Sequence, residues 1–218
     1  MNRELILRLT KYKRLLHKLK ALGLERVFSN NLGDAIGVSP ALVRKDFSNL
    51  SLPGNKRGGY NIDELIERLD GVLGFDENQN VIIVGCGRIG TALMRFEEFH
   101  HEGIRIKAGF DTNPEVVDSS LEIPVYPLDT LPEFVKKHEI RVGIIAVPDN
   151  AASQVFEMMV ESGIRGVLNF AAVELKCSTT EKDCAANCTV HNVNIGLEIE
   201  QLFYQLNLSD SNCDEDES

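Results

Sequence analysis

The stretch Val81–Asp111 constrains the fold more than any other part of the chain. An apolar run leads into a Gly-x-Gly-x-x-Gly motif at residues 85–90, and a predicted helix over about Arg88–His100 and a second apolar run follow. This order is typical of a backbone that turns sharply and approaches a pyrophosphate, with the N–H groups of the helix N-terminus facing the anion. We therefore expect an α/β domain of the Rossmann type.

Asp111 indicates which dinucleotide the domain prefers. A carboxylate about twenty residues after the glycines is placed to accept hydrogen bonds from an adenosine ribose and to repel a 2′-phosphate. Thr112 rather than an arginine follows it, so the pattern favours NAD over NADP. The alternative is a Rossmann-like domain that has lost its ligand or holds another nucleotide, such as coenzyme A.

The charge is divided unevenly along the chain. The net charge of −10 by itself argues against nucleic acid, but residues 1–75 hold 13 Lys and Arg against 8 Asp and Glu. A basic front part on an acidic body is typical of a DNA-binding module attached to a ligand-binding domain. The alternative is an accidental asymmetry, because five acidic residues lie in the tail Ser209–Ser218, which we expect to be disordered.

Hydropathy and cysteine content bear on the compartment. No apolar run approaches the roughly 18 residues that a membrane span needs, and the chain starts with a charged helix rather than a signal peptide. Five cysteines do not suit a disulfide framework in a reducing compartment. We expect a cytoplasmic protein without a membrane partner.

The first fifty residues predict a helix-turn-helix. An amphipathic helix over Arg3–Leu22 has one basic face, formed by Arg8, Lys11, Arg14 and Lys18. A short helix over about Asn30–Ile36 precedes Ser39 and a proline, which signal the start of a helix over Pro40–Leu50. In that helix Leu42 and Phe47 are predicted to face the core, with Arg44, Lys45, Ser48 and Asn49 outside, within reach of phosphates or base edges. The alternative is an ordinary solvated surface helix.

The stretch Pro53–Tyr60 favours DNA binding. It is too rich in Gly and Pro for a helix, and the pair Lys56 and Arg57 lies at the predicted tip of a β-hairpin. A basic hairpin beside a recognition helix is a wing that contacts phosphate or the minor groove, and Gly58 keeps the loop close to the duplex. A closing helix over Asp63–Leu73 and a linker over Gly71–Asn78 complete the region.

Together these segments resemble the Rex family of bacterial redox-sensing transcriptional repressors over nearly the whole chain. The matching segments are Val43–Ser48, Lys56–Tyr60, Gly85–Gly90, Phe110–Asp111, Pro124–Pro127, Ile145–Pro148 and Gly163–Ala171. The resemblance implies a homodimer of winged-helix and Rossmann subunits with a swapped C-terminal helix. It further implies that NADH releases operator DNA, that the NAD⁺-bound or free protein binds it, and that no hydride is transferred.

Domain bounds and site residues follow from the pattern and the resemblance together. We expect a winged-helix domain at 1–75, a Rossmann domain at 76–195, a swapped helix at 196–208 and a tail at 209–218. The predicted cofactor-binding residues are Gly85, Cys86, Gly87, Arg88, Ile89, Gly90, Asp111, Val147, Pro148, Asn169, Phe170 and Ala171. The predicted DNA-binding residues are Ser39, Arg44, Lys45, Ser48, Lys56, Arg57 and Gly58.

The sequence departs from the family at the positions that couple ligand to DNA. The family commonly uses an arginine in the first helix, a tyrosine after the glycine loop and an aspartate before the swapped helix. Here Arg14 keeps the first position, Phe96 replaces the tyrosine and Asn194 replaces the aspartate. Loss of a charge-assisted contact, worth roughly 1–3 kcal/mol if partly buried, could weaken redox discrimination.

A cysteine-rich loop has no counterpart in the family. Cys177, Cys184, Cys188 and His191 are enough ligands for tetrahedral Zn²⁺, and a reversible disulfide between two of the thiols is a second interpretation. The third, which we favour, is that the thiols are ordinary loop residues, because the spacing of the first two matches no zinc motif.

Three classes of function remain open from sequence. The first is a repressor whose ligand is NADH or NAD⁺. The second is a dehydrogenase, which would need a substrate domain and an acid or base near the nicotinamide. The residues after the Rossmann part are too few to build that substrate domain. The third is a DNA-binding regulator whose nucleotide site is structural or does not discriminate, which the changes at Phe96 and Asn194 favour.

Overall fold

The structure, a computed structural model, describes residues 3–50, 58–74, 79–101, 103–177 and 188–213. The chain divides into two compact units, Met1–Gln79 and Asn80–Ser218. Each unit has its own hydrophobic core.

The described residues of the first unit form four helices and a two-stranded antiparallel sheet. Their bounds are α1 Arg3–Ala21, β1 Arg26–Val27, α2 Ser29–Ile36, α3 Pro40–Asn49, β2 Tyr60–Asn61 and α4 Ile62–Leu73. α1 packs on α4 and on α2, and α2 packs on α3. Gly37 ends α2 in the left-handed conformation with φ 75°, which makes the tight turn of the helix-turn-helix.

The buried face of α3 differs from the predicted one. Val43 and Phe47 are fully buried, whereas Leu42 is only half-buried. Since α3 begins at Pro40, positions 43, 47 and 50 form the stripe that faces the core, and position 42 lies at its edge. The outward face predicted for Arg44, Lys45, Ser48 and Asn49 is exposed.

The second unit is built on a six-stranded sheet. Its strands are β3 Gln79–Val84, β4 Ile104–Asp111, β5 Val125–Pro127, β6 Val142–Ile145, β7 Gly166–Asn169 and β8 Thr189–Asn192. The order is β5-β4-β3-β6-β7-β8, and the registered pairs β3–β6, β4–β5, β6–β7 and β7–β8 are parallel. β4 and β5 therefore lie on one side of β3, and β6, β7 and β8 lie on the other. Doubly wound sheets bind ligands at such a switch point, here between β3 and β6.

The alternation of β3 explains why helices cover both faces of the sheet. Ile82 and Val84 belong to the larger core, whereas Val81 and Ile83 belong to a second cluster with Ile144. A strand that is apolar on both faces is typical of a parallel sheet between two helical layers. The predicted Rossmann fold class is confirmed.

Five α-helices are described in the second unit. Their bounds are α5 Arg88–Met94, α6 Glu98–His101, α7 Leu131–His138, α8 Asp149–Ser162 and α9 Ile195–Cys213. The prediction of one helix over Arg88–His100 is wrong, because the Phe96 N–H donates to the Leu93 carbonyl three residues back and the chain leaves the helix there. Phe96 is consequently 50% exposed.

α9 is longer than the predicted helix and is strongly apolar. It continues to Cys213, so residues 209–213, which we expected in a disordered tail, are helical. Its exposed large side chains are Ile195, Leu197, Ile199, Leu202, Phe203, Tyr204 and Leu206. Among the described helices none is long and apolar enough to cross a membrane.

Candidate nucleotide site and nucleic-acid interface

The glycine loop after β3 is shaped by backbone contacts that exclude side chains. Gly85 has φ 94°, and a Cβ there would lie 2.5 Å from the Ala146 carbonyl oxygen. A Cβ on Gly90 would lie 1.9 Å from the Gly85 carbonyl oxygen. The first and third glycines are therefore required by the fold itself, before any ligand is considered.

Gly87 is required for a different reason. A Cβ on this residue would meet nothing within 4 Å, so the protein itself leaves room for a side chain. Gly87 nevertheless lines a cavity of about 320 Å³ at the carboxyl ends of β3, β4 and β6. Its missing side chain keeps this cavity open on the loop side, which is what close approach of a pyrophosphate to the backbone needs.

The cavity wall combines the two halves of the sheet. Asp111 and Thr112 lie at the end of β4, and Ala146, Val147 and Pro148 follow β6. The predicted positions Val147 and Pro148 thus lie beside the glycine loop. Sequence reasoning missed the remaining wall, which is formed by Leu128, Ala151, Gln154, Val155 and Met158. The part of the wall formed by α8 depends on how that helix packs against the sheet, and the glycine motif contains no information about that packing.

Asp111 ties the glycine loop to the end of β4. Its carboxylate accepts the Cys86 N–H at 2.7 Å and the Asn113 N–H at 2.8 Å, one on each oxygen. A carboxylate oxygen can accept more than one hydrogen bond, so both retain capacity toward ribose hydroxyls. The acid is held in place at the cavity wall by the loop that it faces.

Cys86 contributes its backbone rather than its thiol. The thiol points inward, because a Cβ on Gly109 would lie 2.5 Å from the Cys86 sulfur. Burial, reinforced by the charge of Asp111, raises the pKa of Cys86 to about 11. The group is a neutral thiol near neutral pH and lacks the thiolate character of a redox sensor.

Other predicted cofactor residues lie away from the cavity wall. Arg88 and Ile89 are exposed at the start of α5. Asn169 is fully buried, and its amide donates to the Val173 carbonyl at 2.8 Å and to the Asn192 side chain at 2.9 Å. Its oxygen accepts the Ala171 N–H at 3.0 Å. Phe170 and Ala171 lie in the turn that these bonds hold, so Asn169 shapes the loop after β7.

The predicted recognition helix, α3, presents a polar surface. Ser39 caps α3, its hydroxyl oxygen accepting the Leu42 N–H at 3.2 Å, while Arg44, Lys45 and Ser48 are exposed. Arg44 donates to the Ser29 hydroxyl at 3.1 Å, which orients the guanidinium across the two helices of the motif.

Sequence reasoning missed a partly buried ion pair beneath this surface. Arg8 donates to both oxygens of Asp46, at 2.8 and 2.9 Å, and the Tyr12 hydroxyl donates to the same carboxylate at 3.2 Å. The assignment of Arg8 to the solvent face of α1 is therefore wrong, because Asp46 draws it inward. The signal in the sequence was an acid at position 46, inside the stripe formed by Val43, Phe47 and Leu50.

The base of the predicted wing is described and its tip is not. β1 and β2 pair antiparallel, and Arg26 donates to the Gly58 carbonyl at 2.6 Å. Lys56 and Arg57 lie outside the described residues, as do the linker residues 75–78.

Both units of the chain are similar to known proteins. Residues 3–48 match a family described as a putative DNA-binding protein N-terminus, and residues 76–173 match the CoA binding domain family. A redox-sensing transcriptional repressor Rex from Desulforamulus reducens is 34% identical over 94% of this chain and 95% of its own. The Rex of Pediococcus pentosaceus is 39% identical over 91% of this chain and 93% of its own. The chain belongs to the Rex family.

Solved structures of a Rex-family repressor called RSP extend the likeness. Its complex with NAD⁺ and operator DNA is 27% identical and matches with a TM-score of 0.83 over 98% of this chain and 96% of that one. Its complex with NADH matches with a TM-score of 0.77 over 98% of both chains. The predicted family and the predicted combination of a DNA-binding N-terminal domain with a Rossmann domain are confirmed, whereas the helix swap stays a prediction.

The three positions predicted to couple ligand to DNA lie in different surroundings. Arg14 lies on an exposed part of α1. Phe96 stacks edge-on against Phe99 with ring centroids 5.1 Å apart. Asn194 precedes α9, and its side-chain oxygen accepts the Leu197 N–H at 3.1 Å. Asn194 thus caps α9 as an aspartate would, but without the charge.

The cysteine-rich loop forms no metal site among the described residues. Cys177 and Cys188 are half-buried thiols, and His191 is exposed on β8. Burial and the neighbouring Cys177 raise the pKa of Cys188. Cys184 lies outside the described residues, so neither a zinc site nor a thiol switch involving it is tested.

Proposed function

We propose that this protein is a transcriptional repressor that binds operator DNA and releases it when NADH occupies the Rossmann domain. The observation that carries the proposal is the cavity lined by Gly87 and Asp111, in which no side chain blocks the glycine loop. The same chain exposes Arg44, Lys45 and Ser48 on α3. Rex relatives are named redox-sensing repressors, and RSP has been solved with NADH and with NAD⁺ and operator DNA.

The nucleotide roles follow from the cavity. Gly85, Gly87 and Gly90 shape the loop under the pyrophosphate, and Asp111 binds the adenosine ribose and disfavours a 2′-phosphate. Val147 and Pro148 line the wall that follows β6, while Asn169 holds the turn with Phe170 and Ala171. Cys86 positions Asp111 through its N–H. Arg88 and Ile89 are assigned to the cofactor set by their place in the motif.

The DNA roles follow from exposure and charge. Arg44, Lys45 and Ser48 would contact base edges and phosphates in the major groove, with Ser39 at the N-terminus of the helix. Lys56, Arg57 and Gly58 of the wing would contact the adjacent backbone or minor groove. Two such helices in a homodimer would meet a palindromic operator.

A homodimer is part of the proposal. The exposed apolar side chains of α9 include Leu202 at 59%, Phe203 at 64% and Leu206 at 59%. Such a contiguous apolar surface is typical of a subunit interface. Domain swapping of α9 onto the partner and a reducing cytoplasmic location follow the family expectation, as does the absence of hydride transfer.

The experiment is fluorescence-anisotropy binding at fixed salt to a palindromic duplex that the protein selects from a randomised pool. Titration with NADH is expected to displace the DNA, and NAD⁺ is expected to leave it bound. Incubation with DNA present should not consume NADH. A protein that selects no duplex, or that oxidises NADH in turnover, contradicts the proposal.

A second candidate is a regulator whose nucleotide site does not discriminate. Phe96 has no hydroxyl, and Asn194 is uncharged and uses its side-chain oxygen to accept the Leu197 N–H in the cap of α9. If both NADH and NAD⁺ leave the operator bound while both bind the protein, this second function replaces the first.

A further inference from the structure

The polar cluster of Arg8, Tyr12 and Asp46 has no role in either proposed contact surface. Asp46 is 2% exposed and Tyr12 is fully buried, in the middle of the first unit's hydrophobic core. A buried carboxylate is costly unless it is paired and hydrogen-bonded, and a well-packed apolar trio would stabilise a helical domain at least as well. Its presence therefore calls for a reason other than stability.

The geometry of the cluster is directional. Arg8 binds both oxygens of Asp46 through Nε and Nη2, and Tyr12 binds one of them from the next turn of α1. A planar guanidinium fork on a carboxylate admits a narrow range of angles, unlike an apolar contact, which tolerates sliding. Three hydrogen bonds from one helix to one side chain of α3 define how α3 is rotated about its own axis.

The neighbouring contacts place this restraint directly under the DNA-facing side chains. Asp46 adjoins Lys45 on one side and Phe47 on the other. The Phe47 ring lies edge-on to Tyr12 at 5.2 Å and to Tyr60 of β2 at 5.0 Å. A rotation of α3 that broke the ion pair would also break these ring contacts and turn Arg44 and Lys45 away together.

We propose that Arg8, Tyr12 and Asp46 are positioning residues that set the rotation of the recognition helix and thereby the selectivity for operator over other DNA. This inference rests on the proposed function. It predicts that the cluster governs base contacts, which need angular precision, and leaves the general attraction to phosphates unchanged.

The deciding variant removes the directional hydrogen bonds of the cluster and keeps the net charge of the protein. Arg8→Met, Tyr12→Phe and Asp46→Leu together replace the cluster with apolar side chains, and their net charge change is zero. Operator affinity is expected to fall about tenfold, comparable to the loss of one base contact. Affinity for a scrambled duplex and the slope of affinity against salt should stay unchanged. An operator preference equal to that of the wild type overturns the proposal.

Asp46→Asn provides a test that does not depend on the triple variant folding. Removing a negative charge close to the recognition surface raises affinity for scrambled DNA by electrostatics alone. Lost positioning lowers operator affinity in the same protein, so the two affinities are expected to move in opposite directions. If both rise together, charge explains the result and the positioning role is wrong.

A matched control is available on the same helix. Lys13 of α1 pairs with Asp70 of α4, and this ion pair is also partly buried but joins α1 to α4 instead of to α3. Asp70→Asn should lower the melting temperature without changing operator preference. If it lowers the preference as much as Asp46→Asn does, the effect comes from general loosening and the proposal fails. A wild-type protein without operator preference overturns both this inference and the proposed function.

Discussion

The two surfaces proposed to meet ligands are built in opposite ways. The recognition helix is convex and presents long exposed side chains, with Arg44 and Lys45 supported from below by a partly buried ion pair. The nucleotide cavity is concave and is shaped by absent side chains, with Asp111 as the charged residue on its described wall. Substitutions should therefore act through lost contacts at the first surface and through added atoms at the second.

The largest effect is expected from adding a methyl group to the glycine loop. In Gly90→Ala the new Cβ meets the Gly85 carbonyl oxygen, so the loop has to move. Overpacking of this kind costs about 1–3 kcal/mol of folding stability. Because Asp111 is tied to the same loop, we expect about a hundredfold weaker NADH binding by titration calorimetry, a loss of nearly 3 kcal/mol.

Gly87→Ala separates the ligand from the fold. Its Cβ has free space in the protein, so the melting temperature should stay the same while NADH affinity falls about tenfold through contact with the pyrophosphate. The control is Gly71→Ala within α4, which meets no neighbour and should raise stability by roughly 0.5–1 kcal/mol. An unchanged NADH affinity in Gly87→Ala would place the pyrophosphate elsewhere.

Asp111→Ala tests the charged residue on the described wall of the cavity. We expect NADH affinity to fall about tenfold, since charged hydrogen bonds contribute about 1.5–3 kcal/mol, while NADPH binding weakens less or improves. Competition between the two reduced nucleotides measures the ratio directly. If the ratio of the two affinities stays at its wild-type value, Asp111 does not read the ribose.

Arg44→Ala tests the convex surface. Loss of a base or phosphate contact should weaken operator binding by about 1–3 kcal/mol and leave nucleotide affinity unchanged. Arg68→Ala, which removes an exposed arginine of α4, is the control for lost charge. Equal weakening in both variants would point to general electrostatics rather than a specific contact.

The smallest effect concerns the link between the two surfaces. Asn194→Asp keeps the cap of α9 and adds the family's carboxylate, so stability should change by less than about 0.5 kcal/mol. Combined with Phe96→Tyr, it should widen the difference between NADH and NAD⁺ in operator release. Asn194→Ala, by contrast, should cost about 1 kcal/mol through loss of the cap. If the double variant responds like the wild type, these two positions do not carry the switch.

Local patterns predicted the elements well where one physical cause dominates. Ser39 and the following proline predicted the start of α3, because capping acts within one turn. The glycine spacing predicted the loop after β3, since the close approach of Gly90 to the Gly85 carbonyl lies within the motif itself. The same reasoning failed for Arg88–His100, where apolar spacing continued across a break, and for α9, whose acidic C-terminal part was taken for a tail.

Contacts across the fold were beyond local reasoning. Asn169 was predicted as a cofactor-binding residue, and the structure adds hydrogen bonds between its side chain and Val173, Asn192 and Ala171. Arg8 was assigned to solvent by helical periodicity, yet it pairs with a residue 38 positions away. Both side chains have a partner in another element, Asn192 of β8 for Asn169 and Asp46 of α3 for Arg8, which local patterns did not predict.

The sequence alone therefore determined the helix-turn-helix of the first unit, the glycine loop with Asp111 beside it, the basic outer face of α3 and membership of the Rex family. These depend on short-range sterics and on residue types at fixed spacing. Only the tertiary structure decided that Cys86 turns its thiol inward, that α8 supplies a cavity wall with Gln154 and Met158, and that Asp46 is held by Arg8 and Tyr12. The direction and partner of a buried polar group are set by the packing of distant elements, which no local pattern encodes.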